Sequence, residues 1–217
     1  MQIQEYREWS GRNIIDVSTP KELEVAIKEI EELRHIFFLH WSYIVPDDIT
    51  SNYECICFHM TDLPFGRGGS PLQNLIARGH TTTMLTALRM VREIDAGPVY
   101  LKKPLKIDKG SALEIYKEAG ALSCEMIEEI LINAPSPIPQ VGQETSFRRR
   151  TPEQSVITET KNLQMVHDHI RMLDAPGYPA AFIEINGLRI EFNNSKLLSD
   201  NTIEATAKIS VISPPTS

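Results

Sequence analysis

The sequence predicts an α/β protein, with a three-layer core and a mostly parallel sheet over residues 1–133, a linker over 134–150 and a small β-rich domain over 151–217. Three observations carry this prediction. The first forty residues read strand–helix–strand, a unit that forces parallel pairing. A proline-rich stretch from Asn133 to Gln143, with prolines at 135, 137 and 139, interrupts the pattern as linkers do. Beyond it, Asn186-Gly187 stands between two apolar runs, the strongest short hairpin signal.

The elements follow in order. Ile14-Ile15-Asp16-Val17 reads as a short strand. Thr19-Pro20-Lys21-Glu22 opens a helix, with Thr19 as cap, Pro20 in the first turn and Glu22 closing a capping box. Leu23, Ala26, Ile27, Ile30 and Leu33 share one face of it. His35 to Trp41 is an apolar run suited to a strand buried on both faces. Glu54 to Phe58 is the next strand and ends at His59. Ser70-Pro71 should cap a helix that stops near Gly79. Thr82 to Val91 and Val99 to Leu105 read as strands, the second interrupted by Pro104. Ser111-Ala112-Leu113-Glu114 is a second capping box, and the helix behind it stripes Ile115, Ala119, Leu122, Met126, Ile127 and Ile130. In the last domain a short helix is expected over Lys161–Leu173, then strands Ala181–Ile185 and Leu188–Phe192, with more strand over Thr202–Ile212 and a frayed tail at Pro214-Pro215-Thr216-Ser217.

Composition narrows the function classes. The chain has 217 residues, 41% of them apolar, enough for a packed core. No apolar run reaches membrane-span length, and the polar start Met1-Gln2-Ile3-Gln4-Glu5 lacks a signal-peptide core, so a cytoplasmic protein with no membrane partner is expected. Three cysteines make no disulfide framework. The net charge of −7 argues against a broad nucleic-acid surface; Arg148-Arg149-Arg150 is the one strong basic cluster, read as a solvated linker.

One constellation carries chemistry. His59 stands at the carboxyl end of a strand, where open α/β sheets place ligands. Asp95 lies in a tight turn one strand further on and can approach it. A carboxylate beside an imidazole fixes its tautomer, so the pair could donate a hydrogen bond to an oxyanion or accept a proton from an amine. A purely structural His59 that ties down a loop is the competing reading. Cys55, Cys57 and His59 share a strand face, but no fourth ligand is apparent, and no metal site is expected. Gly66-Arg67-Gly68-Gly69 lacks the lysine and spacing of a phosphate-binding P-loop. His167 and His169 lie on a polar helix and read as solvated.

The segment from Cys55 to Ile76, which holds Cys57-Phe58-His59-Met60-Thr61-Asp62-Leu63-Pro64-Phe65-Gly66-Arg67-Gly68, is similar to the signature built on Asn-x-His-x-Ser-x-Leu-Pro-x-x-Arg-Gly of folate-dependent formyltransferases, and Asp95-Ala96-Gly97-Pro98-Val99 matches their second motif. Thr145 to Glu153 and Ile170 to Phe182 resemble the linker and C-terminal unit of the branch that acts on nucleotide-linked amino sugars. Within it the chain looks most like the N-formyltransferases of bacterial pseudaminic acid biosynthesis. The resemblance covers about residues 36–192.

It implies a Rossmann-like formyltransferase core, N10-formyltetrahydrofolate as donor, and the 4-amine of a UDP-linked 4-amino-4,6-dideoxy sugar as acceptor, with no nucleic acid involved. His59 and Asp95 would be catalytic. Trp41, Tyr43, Ile44 and Val45 would form one wall of the pterin pocket, and Ile94, Ala96 and Gly97 the other. Arg67 and Gly68 would hold the loop or meet a phosphate. Cys57, the third position implied to be catalytic, stands where the family has an asparagine; a thiol is a weaker donor than an amide, so either Asn74 or a backbone N–H substitutes or His59 acts without it. A nucleophilic Cys57 is disfavoured because it sits inside a strand with no evident activator. Family members usually carry a further βα unit at the N-terminus; acceptor contacts would then come from the C-terminal hairpin or from a homodimer partner. Two alternatives remain: formylation of methionyl-tRNA, and a folate- or nucleotide-sugar-binding protein without catalysis.

Overall fold

The structure, a computed structural model, describes residues 7–9, 11–158 and 160–212. Its centre is a four-stranded mixed sheet of β3 (His35–Phe38), β4 (Glu54–His59), β6 (Thr82–Arg89) and β7 (Val99–Lys106), in that order. Only β3 and β4 run parallel; β6 is antiparallel to both β4 and β7. The α/β class is therefore as expected, while parallel pairing within this sheet is confined to one step. The reason is local. The single crossover, through α2 (Asp47–Asn52), joins β3 to β4, whereas the short turn after Arg89 returns β7 beside β6.

The expected first strand is displaced. Arg12–Ile14 (β2) pairs antiparallel with Arg7–Trp9 (β1) in a separate two-stranded ribbon, and Ile15 to Val17 carry no strand. Gly11, at φ +72°, reverses the chain and supplies this neighbour at once, so no β-α-β unit forms with β3. The tail Pro214 to Ser217 lies outside the described residues.

Both capping boxes form. Thr19 accepts from the Glu22 amide at the start of α1 (Pro20–Glu29), and Ser111 does so from Glu114 at the start of α4 (Ala112–Asn133). Helix α4 buries Ile115, Ala119, Met126 and Ile130 in one cluster with Ile56, Leu72, Leu85 and Ala87. Full burial of each such Ile or Leu contributes roughly 1.5–3 kcal/mol. The opposite face places Cys55 among Leu23, Ile36, Phe38 and Ile49, and Cys57 against Leu63, Leu88 and Val99. The strand pleat thus turns Ile56 and Phe58 toward α4 and the odd-numbered residues away from it.

The segment after α4 is strapped down. Ile138 and Val99 exchange both backbone hydrogen bonds, and β8 (Ser146–Phe147) pairs parallel with β5 (Arg67–Gly68). Next come α5 (Leu163–Arg171) and a three-stranded antiparallel sheet of β9 (Ala181–Ile185), β10 (Leu188–Ser199) and β11 (Thr202–Val211), with β10 in the middle. Asn186 and Gly187 both have positive φ, the two-residue turn expected of that dipeptide. Ile170, Met172, Leu173 and Ala181 share the core cluster of the main sheet.

Candidate active site

His59 is the last residue of β4 and is 8% exposed. Its Nε2 lies 2.8 Å from the Gly66 carbonyl oxygen. A carbonyl only accepts, so Nε2 carries a proton and donates. Nδ1 then faces the Asp95 carboxylate, with Oδ2 at 3.5 Å. The same Oδ2 accepts from the backbone N–H of Gly68 at 2.8 Å. A proton added at Nδ1 therefore meets a carboxylate that a loop amide already holds in place.

The Asp95 turn is tightly laid. Asp95 has φ +54°, a left-handed conformation in which aspartate is among the tolerated residues. At Gly97 an added Cβ would meet the Arg89 carbonyl oxygen at 1.8 Å, so only glycine lets the turn approach β6. Gly68 is equally constrained, at φ +99° with the Phe147 carbonyl oxygen 2.5 Å from an added Cβ.

Arg67 is a loop clamp. Its Nε and Nη2 donate to Gln140 Oε1 at 3.1 and 2.8 Å, and its Nη1 pairs with Glu144 at 3.1 Å. The sequence alone does not point to Gln140, because residues 67, 95 and 140 meet only once β5 and β8 pair.

Two expectations need correction here. Asn74 is not free to replace the family asparagine: its Nδ2 donates to the carbonyls of Gly69, Ser70 and Arg148, and its Oδ1 accepts from Arg78. The backbone amide of Gly68 also stands at the pair, and it too is engaged, donating to Asp95. Ser70 does not cap α3 (Pro71–Ile76) either; it sits at φ +50° and its Oγ accepts from the Arg150 amide. Both changes spend polar groups on holding the linker against the His59 loop.

Cys57 lies below the pair. Burial pushes its thiol up to about 12, and the negative charge of Asp95 adds to the shift. Thiolate nucleophilicity at neutral pH is thereby suppressed. Among the described residues no group of three or more His, Cys, Asp or Glu is placed to hold a metal ion, and no helix is long and apolar enough to cross a membrane.

The residues expected at the pterin pocket lie on two loops. After β3, Trp41 packs edge-on against Phe38 and Tyr43, Val45 is buried, and Tyr43 and Ile44 are 52% and 95% exposed. Trp41 Nε1 is buried with no hydrogen-bond partner. In the other loop, Ile94 is 77% exposed beside Asp95, while Ala96 is half-buried. An orphaned indole N–H and solvent-facing apolar side chains on both loops fit a flat heteroaromatic ligand.

His167 and His169 are not free on a polar face. His167 meets Ser195 Oγ at 2.9 Å and His169 the Ser155 carbonyl at 3.1 Å, which ties α5 to its neighbours.

Comparison with known proteins gives a consistent picture. The family model for the C-terminal domain of methionyl-tRNA formyltransferase matches residues 152–210. A solved methionyl-tRNA formyltransferase from Clostridium thermocellum is 42% identical, with 90% of this chain and 86% of that one covered and a TM-score of 0.84. The methionyl-tRNA formyltransferase of Bacillus mycoides (strain KBAB4) is 33% identical over 204 residues, covering 82% of this chain; the chain spans 64% of the length of that relative. A sugar N-formyltransferase from Shewanella sp FDAARGOS_354 is 18% identical, with a TM-score of 0.65 and 85% and 77% of the two chains covered, and shows the fold alone. The chain belongs to the formyltransferase family.

Proposed function

We propose that the chain is an N-formyltransferase that moves a formyl group from N10-formyltetrahydrofolate to the amine of methionyl-tRNA. The observation that carries this reading is the His59–Asp95 pair, set at a strand end and braced by the Gly68 amide. In formyl transfer a bond forms between the acceptor nitrogen and the formyl carbon, the bond from that carbon to N10 breaks, and a proton passes from the acceptor amine to N10. The donor, once bound, supplies the activated formyl carbon. His59 would offer its Nε2–H to negative charge developing on the formyl oxygen by exchanging the Gly66 carbonyl that it meets in the resting site. Asp95 holds the imidazole and offers a carboxylate for the amine proton. Trp41, Tyr43, Ile44 and Ile94 would flank the pterin.

For the acceptor, relatives at 33% and 42% identity carry the methionyl-tRNA name, whereas those with a sugar N-formyltransferase name stand at 16–18%. This favours methionyl-tRNA over the UDP-linked amino sugar expected from the linker motifs. A surface observation agrees. Net charge hides a local cationic cluster: Arg78 stacks on Phe147, partial burial and then the nearby Arg78 charge lower the pKa of Arg150, and Arg148 and Arg149 are exposed beside them. These arginines adjoin the loop of His59, where a phosphodiester backbone would find them.

The test mixes the purified chain with N10-formyltetrahydrofolate and either charged methionyl-tRNA or a UDP-4-amino-4,6-dideoxy sugar. Formylmethionyl-tRNA is expected, with kcat/KM falling as salt rises. His59→Ala and Asp95→Asn should each lower kcat by roughly 100-fold or more. Transfer to the sugar alone would overturn the acceptor, and transfer to neither would overturn the enzyme.

A further inference from the structure

We propose that Gln140 is a positioning residue for the His59–Asp95 pair, an inference that rests on the formyl-transfer reading above. Its side-chain amide joins two segments that are remote in sequence. Oε1 accepts from Arg67 Nε and Nη2, and Nε2 donates to the carbonyl oxygens of Asp95 and Gly97 at 2.7 and 2.8 Å. Asp95 returns the link through its carboxylate, which accepts from the amide of Gly68, the neighbour of Arg67. The result is a closed ring running from the Arg67 side chain to Gln140, to the Asp95 backbone, to the Asp95 carboxylate, to Gly68.

The chemistry of the ring calls for a carboxamide. A guanidinium has donors and no acceptor, and a carbonyl accepts only, so one end of the bridging group must accept and the other donate. Both amide hydrogens and both oxygen lone pairs are used. The ring holds Asp95 in its left-handed conformation, where no β-strand pairing fixes it. It also sets how far the Asp95 carboxylate stands from His59 Nδ1. Gln140 touches neither reacting group; it acts through the Asp95 turn.

Two substitutions test this. Gln140→Met removes both halves of the bridge at similar volume. Gln140→Glu keeps the Arg67 half but turns a carboxylate oxygen onto two carbonyls. Displacing a reacting group by about 1 Å costs on the order of 100-fold, so Gln140→Met should lower kcat by at least about tenfold and leave KM for N10-formyltetrahydrofolate within about threefold. For Gln140→Glu, kcat relative to the unsubstituted chain should rise as pH falls, because a protonated carboxyl regains one donor for the turn. The second readout needs no turnover: NMR of histidine-labelled protein, with His59 assigned by its substitution. The His59 ring 15N chemical shifts in Gln140→Met should move toward those of Asp95→Asn. A folded Gln140→Met or Gln140→Glu protein with kcat within twofold of the original and unchanged His59 ring shifts would overturn the proposal. An unsubstituted chain without formyl transfer, but with the His59 shift in Gln140→Met, would reject the function and uphold the positioning.

Discussion

Cys57 shows how one position can look chemical and behave as packing. Its thiol is pushed up to about 12 by burial and by Asp95, and Cys55 is pushed to about 12 by burial and by Glu54. Cys124 is exposed on α4. Alkylation needs thiolate and access together. Native protein treated with iodoacetamide at pH 8 should therefore gain one adduct, at Cys124, and denatured protein three, as read by peptide mass spectrometry. Native labelling of Cys57 would show that the site is open and would revive a nucleophilic role. At this scale much of the site was legible. His59 and Asp95 stood out because imidazole and carboxylate at a strand end and a tight turn have few uses. Asn74 misled because sequence shows a free amide, and only the fold reveals that Gly69, Ser70, Arg148 and Arg78 consume it.

Elements were legible where their signals are local. The capping boxes at Thr19 and Ser111 and the Asn186-Gly187 turn each involve residues within four positions, and all three form. Sheet order was not, because strand pairing is set by contacts remote in sequence; across Gly11, β2 pairs with β1 and not with β3. Helix α5 shows a consequence with a pH signature. Burial lowers the pKa of His167 and His169 from 6.5, outweighing the Ser155 carbonyl that favours protonated His169. The unfolded chain then binds more protons just below pH 6.5, so stability rises with pH in that window. The contribution is complete above pH 6.5 and is lost as pH falls through the folded values. His35 and His40 shift the same way, also chiefly by burial. Melting temperature should be level from pH 7 to 8 and decline below about 6.5. His169→Gln, which retains an N–H for Ser155, should make that decline shallower; an identical slope would remove α5 as a source of it.

For the whole molecule the question is whether residues 151–217 stand alone. The sequence suggests a boundary, since a proline-rich segment precedes them and a hairpin pattern follows. The packing opposes independent folding. Buried Arg171 donates to the carbonyls of Ile107 and Gly110 and pairs with Asp168 at 2.5 Å. Fully buried Gln73 reaches the Met172 carbonyl and the Tyr116 hydroxyl, which in turn donates to Tyr178. The Leu113 amide donates to the Asp174 carbonyl. Cutting here would expose Ile170, Met172, Leu173 and Ala181, and break the hydrogen bonds that Gln73 and Arg171 make across the boundary. Each such bond contributes about 0.5–1.5 kcal/mol, against a domain's stability of about 5–15 kcal/mol. The two units should therefore unfold together. Hydrogen exchange in mild urea should give amides of β4 and of β9 the same opening free energy, and Arg171→Met should lower both equally. Protection in β9 that collapses while β4 remains closed would show two independent units and place the boundary at the linker after all.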